Sequence, residues 1–171
     1  MPAPILVTGA AGFIGHAVAH RLLARGERVI GVDIVNDYYD PALKEARLAT
    51  FAGINSFAFE RLDIADADKM KALVCDNNIV RVVHLAAQAG VRYSLDHPHA
   101  YADANLEGFL NLLEGCRHND CRHLLYASSS SVYGANDVLP KHEGLATRPV
   151  SPYAASKLAT EAYSLAWSHS Y

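Results

Sequence analysis

Short apolar runs alternate with longer amphipathic stretches along the whole chain, and this alternation limits the possible folds most strongly. The first run is Ile5-Leu6-Val7-Thr8, and others occupy residues 28–33, 57–62, 80–85 and 123–127. Their β-branched and aliphatic residues are nearly continuous, as in parallel strands covered on both faces. The pattern predicts an α/β fold, a doubly wound parallel sheet with right-handed crossovers and the strand order 3-2-1-4-5.

Helix boundary signals lie between these runs. Gly26 is placed to end a helix over residues 12–25, and Asp66 is a candidate N-cap for a helix through Val74. A long helix is expected over 98–117, and a last one begins with Ser151 as N-cap followed by proline.

Two stretches have the composition of loops. They are 36–40 and 134–150, and the second is rich in Pro, Gly and polar residues. It is a candidate lid or substrate loop, or equally a plain surface connection.

Size and charge exclude several classes of protein. A chain of 171 residues with net charge −3 predicts one domain and gives no reason to expect a nucleic acid or an anionic membrane as partner. No apolar run is long enough to span a membrane. Cys75, Cys116 and Cys121 form no CxxC pair, which predicts reduced thiols in a cytoplasmic protein, and the histidines show no metal-site spacing.

A glycine-rich turn joins the first strand to the first helix. Gly9, Gly12 and Gly15 form a GxxGxxG pattern, which lets the backbone turn tightly and approach a pyrophosphate at the helix N-terminus. Asp33 closes the second strand, eighteen residues after Gly15. A carboxylate there accepts hydrogen bonds from both ribose hydroxyls and repels a 2′-phosphate, which favours NAD over NADP.

The next two strands also end in residues suited to a cofactor. Asp63 is placed to take the adenine amino group while Ile64 packs on the ring, although Asp63 could equally cap a helix. The segment 85–88 follows the fourth strand, and its small residues permit close approach of backbone and cofactor.

Three residue types late in the chain suggest proton and hydride transfer. A run of four serines, 128–131, follows the fifth strand, and Tyr153 and Lys157 share one face of the last predicted helix. A tyrosine is a poor base at neutral pH, and a nearby ammonium favours its phenolate. With a serine holding the substrate oxygen, the tyrosine can take a proton while nicotinamide takes a hydride.

Four segments together resemble the extended short-chain dehydrogenases/reductases that act on nucleotide sugars, the NAD-dependent epimerase/dehydratase family. They are 7–15, 84–94, 128–134 and 153–157. The run from Gly31 to Lys44 is similar to that of the UDP-glucuronate 4-epimerases.

The resemblance implies a Rossmann fold and a set of residues that contact NAD along its length. From the pyrophosphate through the adenosine ribose and adenine to the middle of the cofactor, these are Gly9, Gly12, Phe13, Ile14 and Gly15; Asp33, Asn36 and Lys44; Asp63 and Ile64; and Leu85, Ala86, Ala87 and Gln88. Asn105 is implied to be a structural or cofactor-side residue.

The resemblance also implies the catalytic roles. Tyr153 is the base, Lys157 binds the nicotinamide ribose, and Ser129 completes the triad and contacts substrate, with Ser130 as the near alternative. Arg92 is either a contact for a substrate carboxylate or a surface or phosphate-facing residue. In this mechanism NAD is not consumed, because the hydride removed from C4 returns to the opposite face of a transient 4-keto sugar.

Members of this family are about two domain lengths long. Residues 1–171 are therefore expected to be the NAD-binding domain, with the C-terminal substrate domain missing. The resemblance further implies a homodimer through a four-helix bundle, formed by helix 98–117 and the Tyr153 helix. Other interpretations are a 4,6-dehydratase, which Ser130 and Ser131 argue against because an Asp-Glu pair is expected there, and an NAD-binding fragment without catalysis.

Overall fold

Five parallel strands form a single sheet in the computed structural model, which describes residues 3–171. Their spatial order is β3-β2-β1-β4-β5, as predicted. The strands are β1 (Ile5–Thr8), β2 (Val29–Asp33), β3 (Phe57–Arg61), β4 (Arg81–His84) and β5 (His123–Tyr126).

Helices connect the strands and lie against the sheet. They are α1 (Phe13–Ala24), α2 (Pro41–Ala49), α3 (Ala67–Asp76), α4 (Tyr93–Asp96), α5 (Pro98–Tyr101), α6 (Gly108–His118) and α7 (Pro152–Ser170). A π-helical segment, Ala102–Glu107, makes α5 and α6 continuous. Residues 134–150 contain no helix or strand, in agreement with the predicted loop. No helix within 3–171 has the length and apolar character needed to cross a membrane.

The two faces of the sheet bury two separate apolar clusters. Leu6 packs in the cluster that contains Met70 and Leu112, whereas its neighbour Val7 packs in the cluster that contains Ala19 and Phe51. Side chains along a strand alternate between faces, so both faces of the central strands must be covered. The continuous apolar runs therefore correspond to strands buried on both sides.

The path of the chain creates a crevice at the carboxyl ends of the strands. From β1 the chain moves outward to β2 and β3, then returns to place β4 on the other side of β1. Connections leave β1 and β4 in opposite directions, and ligands in open α/β sheets bind where this happens. The topology therefore points to the space above β1 and β4.

The predicted helix ends are confirmed. Gly26 follows α1 with a φ of +80°. Asp66 accepts a hydrogen bond from the Lys69 amide at 3.1 Å, and Ser151 accepts one from the Ala154 amide at 3.1 Å. Asp66 and Ser151 each satisfy a backbone amide that has no partner inside its helix.

Helix α2 was not predicted, although its start carries a clear signal. The Asp40 side chain accepts a hydrogen bond from the Ala42 amide at 2.9 Å, and Pro41 occupies the first helical position. The short helix α4 was also missed. Both lie next to the predicted cofactor segments and therefore bear on the site.

Candidate active site

A cleft of about 800 Å³ lies at the carboxyl ends of the strands. This volume is within the range of small-molecule and cofactor sites. The structure brings together in its walls every residue predicted to contact the pyrophosphate, the adenosine or the middle of the cofactor. These residues are Gly9, Gly12, Phe13, Ile14, Gly15, Asp33, Asn36, Lys44, Asp63, Ile64, Leu85, Ala86, Ala87 and Gln88.

The glycine turn has little space for side chains. Gly9 has a φ of +72°, and a Cβ on it would lie 2.8 Å from the Ala86 nitrogen. A Cβ on Gly15 would lie only 2.0 Å from the Gly9 carbonyl oxygen. Gly12 is the N-cap residue of α1 and offers no side-chain hydrogen bond, so no capping group competes for the amides of the first turn. Such an end attracts anions.

The Asp33 carboxylate is held at the end of β2 by backbone amides. One oxygen accepts a hydrogen bond from the Ala11 amide at 3.1 Å, and the other accepts one from the Val35 amide at 2.8 Å. These bonds join the glycine turn to the end of β2. Each carboxylate oxygen has a further lone pair, so the group can still accept from a ligand hydroxyl.

Lys44 lies on α2 and is almost fully buried. Its ammonium donates to the Asn36 carbonyl at 2.9 Å and to the Asn36 side-chain oxygen at 2.6 Å. Burial lowers the pKa of Lys44, while the carboxylates of Asp33 and Asp37 oppose that shift. The contact fixes the position of the segment after β2, where an adenosine ribose was predicted to bind.

A buried network joins the ends of β1 and β4. The Thr8 hydroxyl oxygen accepts hydrogen bonds from the Leu85 amide at 3.2 Å and the Ala86 amide at 3.1 Å. The Thr8 hydroxyl can then donate its own proton to His84 Nδ1, which lies 2.8 Å away. Since Nδ1 accepts this hydrogen bond, the proton of the neutral imidazole is assigned to Nε2. Burial, followed by repulsion from the Lys157 ammonium, lowers the pKa of His84 to about 3. His84 is therefore neutral at physiological pH.

Asn105 connects the cleft to the helix that carries Tyr153. It lies in the π-helical segment, and its side chain accepts from the Gln88 amide at 2.8 Å and donates to the Gln88 carbonyl at 3.0 Å. The same amide nitrogen lies 2.9 Å from the Ser156 hydroxyl oxygen, which in turn donates to the Tyr153 carbonyl at 2.8 Å. Short π-helical segments within α-helices, such as the one that carries Asn105, occur frequently at functional sites.

Tyr153 and Lys157 lie on α7, beside one end of the cleft. Lys157 is 6% exposed, and its ammonium donates to the Ala127 carbonyl at 3.0 Å. Ala127 itself lines the cleft. Burial lowers the pKa of Lys157. The Tyr153 ring contacts that of Tyr101 edge-on, with 6.0 Å between centroids.

The other predicted residues lie outside the cleft walls. Ser129 caps the 3₁₀ turn Ser130–Tyr133 by accepting from the Ser131 amide at 3.2 Å, and Ser130 is exposed. Arg92 is exposed at the start of α4. Neither serine is singled out by these contacts.

Sequence reasoning missed several residues that line the cleft. Tyr38 and Tyr39 follow β2, and Arg47 donates to both the Ala11 carbonyl at 3.2 Å and the Tyr39 hydroxyl at 3.1 Å. Arg47 recurs on the same side of α2 as Lys44, which is the signal that would have found it. The remaining unpredicted lining residues are Ile34, Leu43, Leu62, Ala89, Ala100, Asp103, Ala104 and Ala127.

The sequence model of the NAD dependent epimerase/dehydratase family matches residues 5–171. This chain belongs to that family. The match includes the glycine turn, the Asp33 strand and the Tyr153 helix, and it confirms the resemblance drawn from the sequence motifs.

Individual relatives agree with this assignment. The chain is 53% identical over 167 residues to an uncharacterized 37.6 kDa protein of Escherichia coli O111:H-, covering 97% of this chain and 50% of that protein. It is 46% identical over 169 residues to UDP-glucuronate 4-epimerase 4 of Arabidopsis thaliana, covering 98% of this chain and 38% of the relative.

A solved structure shares the fold. The UDP-glucuronic acid 4-epimerase of Bacillus cereus, crystallised with UDP-glucuronic acid and NAD, matches with a TM-score of 0.89 and 34% identity. The match covers 98% of this chain and 52% of that one. The chain thus spans about half, or less, of the length of these proteins.

Proposed function

We propose that this chain is the NAD-binding domain of a nucleotide-sugar 4-epimerase that converts UDP-glucuronate to UDP-galacturonate. The observation that carries the proposal is the position of Lys157. Its buried ammonium binds the carbonyl of Ala127, a cleft residue, and Tyr153 lies one helical turn before it. This arrangement supports a proton-transfer pair at the end of a dinucleotide cleft, and the relative from Arabidopsis thaliana supports the choice of sugar.

The residues of the cleft suit NAD. The glycine turn is packed too closely against backbone atoms to admit a Cβ at Gly9 or Gly15, and the uncapped start of α1 suits a pyrophosphate. Within residues 3–171, the Gln88 side-chain nitrogen is buried without a hydrogen-bond partner, which leaves a donor for a ligand. Asp33 would hold the adenosine ribose, and Asp63 with Ile64 would hold adenine. Bound there, NAD would supply the hydride acceptor and donor for C4 of the sugar.

Tyr153 would take the proton of the sugar 4-hydroxyl and later return it. The Lys157 ammonium would stabilise the negative charge on the phenol oxygen, since opposite charges in a partly dry site attract strongly. Ser129 or Ser130 would hold the reacting oxygen of the sugar. Arg92 would bind the glucuronate carboxylate, because a guanidinium pairs with a carboxylate in two parallel hydrogen bonds.

The test is direct. The purified chain is incubated with NAD and UDP-glucuronate, and UDP-galacturonate is measured by chromatography, while NAD binding is measured separately by calorimetry. Tyr153→Phe should bind NAD and lose at least a hundredfold in conversion. Tyr163→Phe, an exposed tyrosine on the same helix, is the matched control and should convert normally.

The outcomes separate the competing functions. UDP-galacturonate from the chain, lost in Tyr153→Phe, supports the proposal. Conversion of UDP-glucose in its place would identify another nucleotide-sugar epimerase. NAD binding without conversion of either sugar would favour a cofactor-binding domain that needs further chain for catalysis. No NAD binding would refute the proposal altogether.

One further property that the family resemblance implies is proposed, which is the quaternary structure. A homodimer would form through a four-helix bundle of α6 and α7 from each copy. On these two helices, Phe109 and Leu113 are buried within the chain itself, whereas Leu165 is 62% exposed and available to a partner. Sedimentation of the complete protein would test the dimer.

A further inference from the structure

The segment after β2 is held against α2 by Tyr39. The Tyr39 hydroxyl accepts from the Arg47 guanidinium at 3.1 Å, and the Lys44 ammonium lies 4.6 Å from the centre of its ring. Cation–aromatic contacts of this kind are attractive. The segment is therefore fixed on the side of the crevice formed by β1, β2 and β3.

The neighbouring Tyr38 contacts the opposite side of the crevice. Its ring meets the Tyr93 ring edge-on, with 5.0 Å between centroids. Its hydroxyl packs directly on Gly90, because a Cβ built on Gly90 would lie 2.5 Å from the Tyr38 oxygen. Gly90 and Tyr93 belong to the segment that follows β4, which Tyr101 anchors by donating to the Ala89 carbonyl at 2.7 Å.

The two sides of the crevice are thus joined beside the cofactor cleft. Tyr38 lines that cleft, and the contact with Tyr93 connects the chain after β2 to the chain after β4. Tyr38 is 41% exposed and Tyr93 is 38% exposed. Because neither side chain belongs to the buried core, the contact can break and re-form without unfolding the sheet.

We propose that the Tyr38–Tyr93 pair is a clasp that slows the release of the bound dinucleotide. The inference rests on the proposed function and adds a kinetic role for two residues outside the proton-transfer machinery. A reaction that returns the hydride to the same sugar needs a cofactor that stays bound through the cycle. The clasp meets that need because the Tyr38–Tyr93 contact connects the two walls of the cleft. One wall is the chain after β2 and the other is the chain after β4, which lie on opposite sides of β1.

The test measures the dissociation rate of NADH. The chain is loaded with NADH, excess NAD is mixed in rapidly, and the decay of bound NADH fluorescence is followed. Tyr38→Ala and Tyr93→Ala should each release NADH roughly three to ten times faster, the range expected for losing one aromatic pair. Tyr38→Phe keeps the ring contact and should stay close to the wild-type rate. Tyr163→Ala, an equally exposed tyrosine outside the cleft, is the matched control.

The double variant Tyr38→Ala/Tyr93→Ala decides whether the residues act together. A clasp requires the double variant to release NADH no faster than either single variant, since both remove one contact. The clasp is refuted if the effects of the two single variants multiply in the double variant, or if the single variants release NADH at the wild-type rate. In either case the observed binding of NADH leaves the proposed function intact. If the wild-type chain does not bind NADH, the proposed function fails and the clasp fails with it. Thermal melting of each variant checks that the fold is retained.

Discussion

The buried imidazole of His84 makes the stability of the fold depend on pH between 7 and 5. His84 is 5% exposed, accepts a hydrogen bond from Thr8, and has a pKa of about 3 because of burial and the Lys157 ammonium. In the unfolded chain the same imidazole takes up a proton near its ordinary pKa of 6.5. Between these two values only the unfolded state binds the proton.

The magnitude follows from proton linkage. Stability contributed by the neutral imidazole is fully present above pH 6.5 and is lost as the pH falls towards 3. One proton bound only by the unfolded state lowers the unfolding free energy by about 1.4 kcal/mol per pH unit. The loss between pH 7 and pH 5 is therefore about 2 kcal/mol.

Urea unfolding at half-unit steps of pH, for the wild type and for His84→Gln, measures this difference. The variant keeps a polar partner for Thr8 but cannot titrate, so its stability should fall about 2 kcal/mol less over the same range. His169→Gln, at an exposed site on α7, should behave as the wild type. The wild type and His84→Gln share all other titratable groups, so the contributions of those groups to the pH dependence cancel in the comparison.

Two results would refute this reasoning. The first is an identical pH dependence for wild type and His84→Gln. The second needs no variant: nitrogen NMR of the folded chain should show the His84 proton on Nε2 with no titration down to pH 5. A protonated His84 signal at that pH would contradict the buried neutral ring.

Three further predictions concern packing and capping. Gly15→Ala should destabilise the chain by about 3 kcal/mol and abolish NAD binding in calorimetry, because its Cβ would meet the Gly9 carbonyl oxygen; wild-type binding would contradict it. Asn105→Ala should cost about 3 kcal/mol in urea unfolding, since it leaves buried groups of Gln88 and Ser156 unpaired; a loss below 1 kcal/mol would show that they find other partners. Ser151→Ala should cost about 1 kcal/mol through the lost cap of α7, with the exposed Ser168→Ala unchanged; equal stabilities would refute the capping role.

Local sequence signals predicted some residues of the site and missed others. The glycine turn, Asp33 and the segment 85–88 were found because each directly follows an apolar run, and carboxyl ends of parallel strands meet at one edge. Helix α2 was missed although Asp40 and Pro41 mark its start. Its cleft residue Arg47 was missed with it, because the predicted loop ended at Asp40 and no element was assigned to the residues that follow.

The sequence by itself determined the layered α/β fold, because apolar periodicity and helix caps depend on residues only a few positions apart. The strand order followed from that fold class, and the family followed from the resemblance of four sequence segments. It also placed the glycine turn and the Tyr153–Lys157 pair within their elements. Only the tertiary structure decided that Asn105 reaches Ser156, 51 positions away, and that Tyr38 meets Tyr93 across the crevice. Such contacts exist because the chain crosses back after β3 and places β4 beside β1. No local sequence pattern specifies which side chains this crossover brings together.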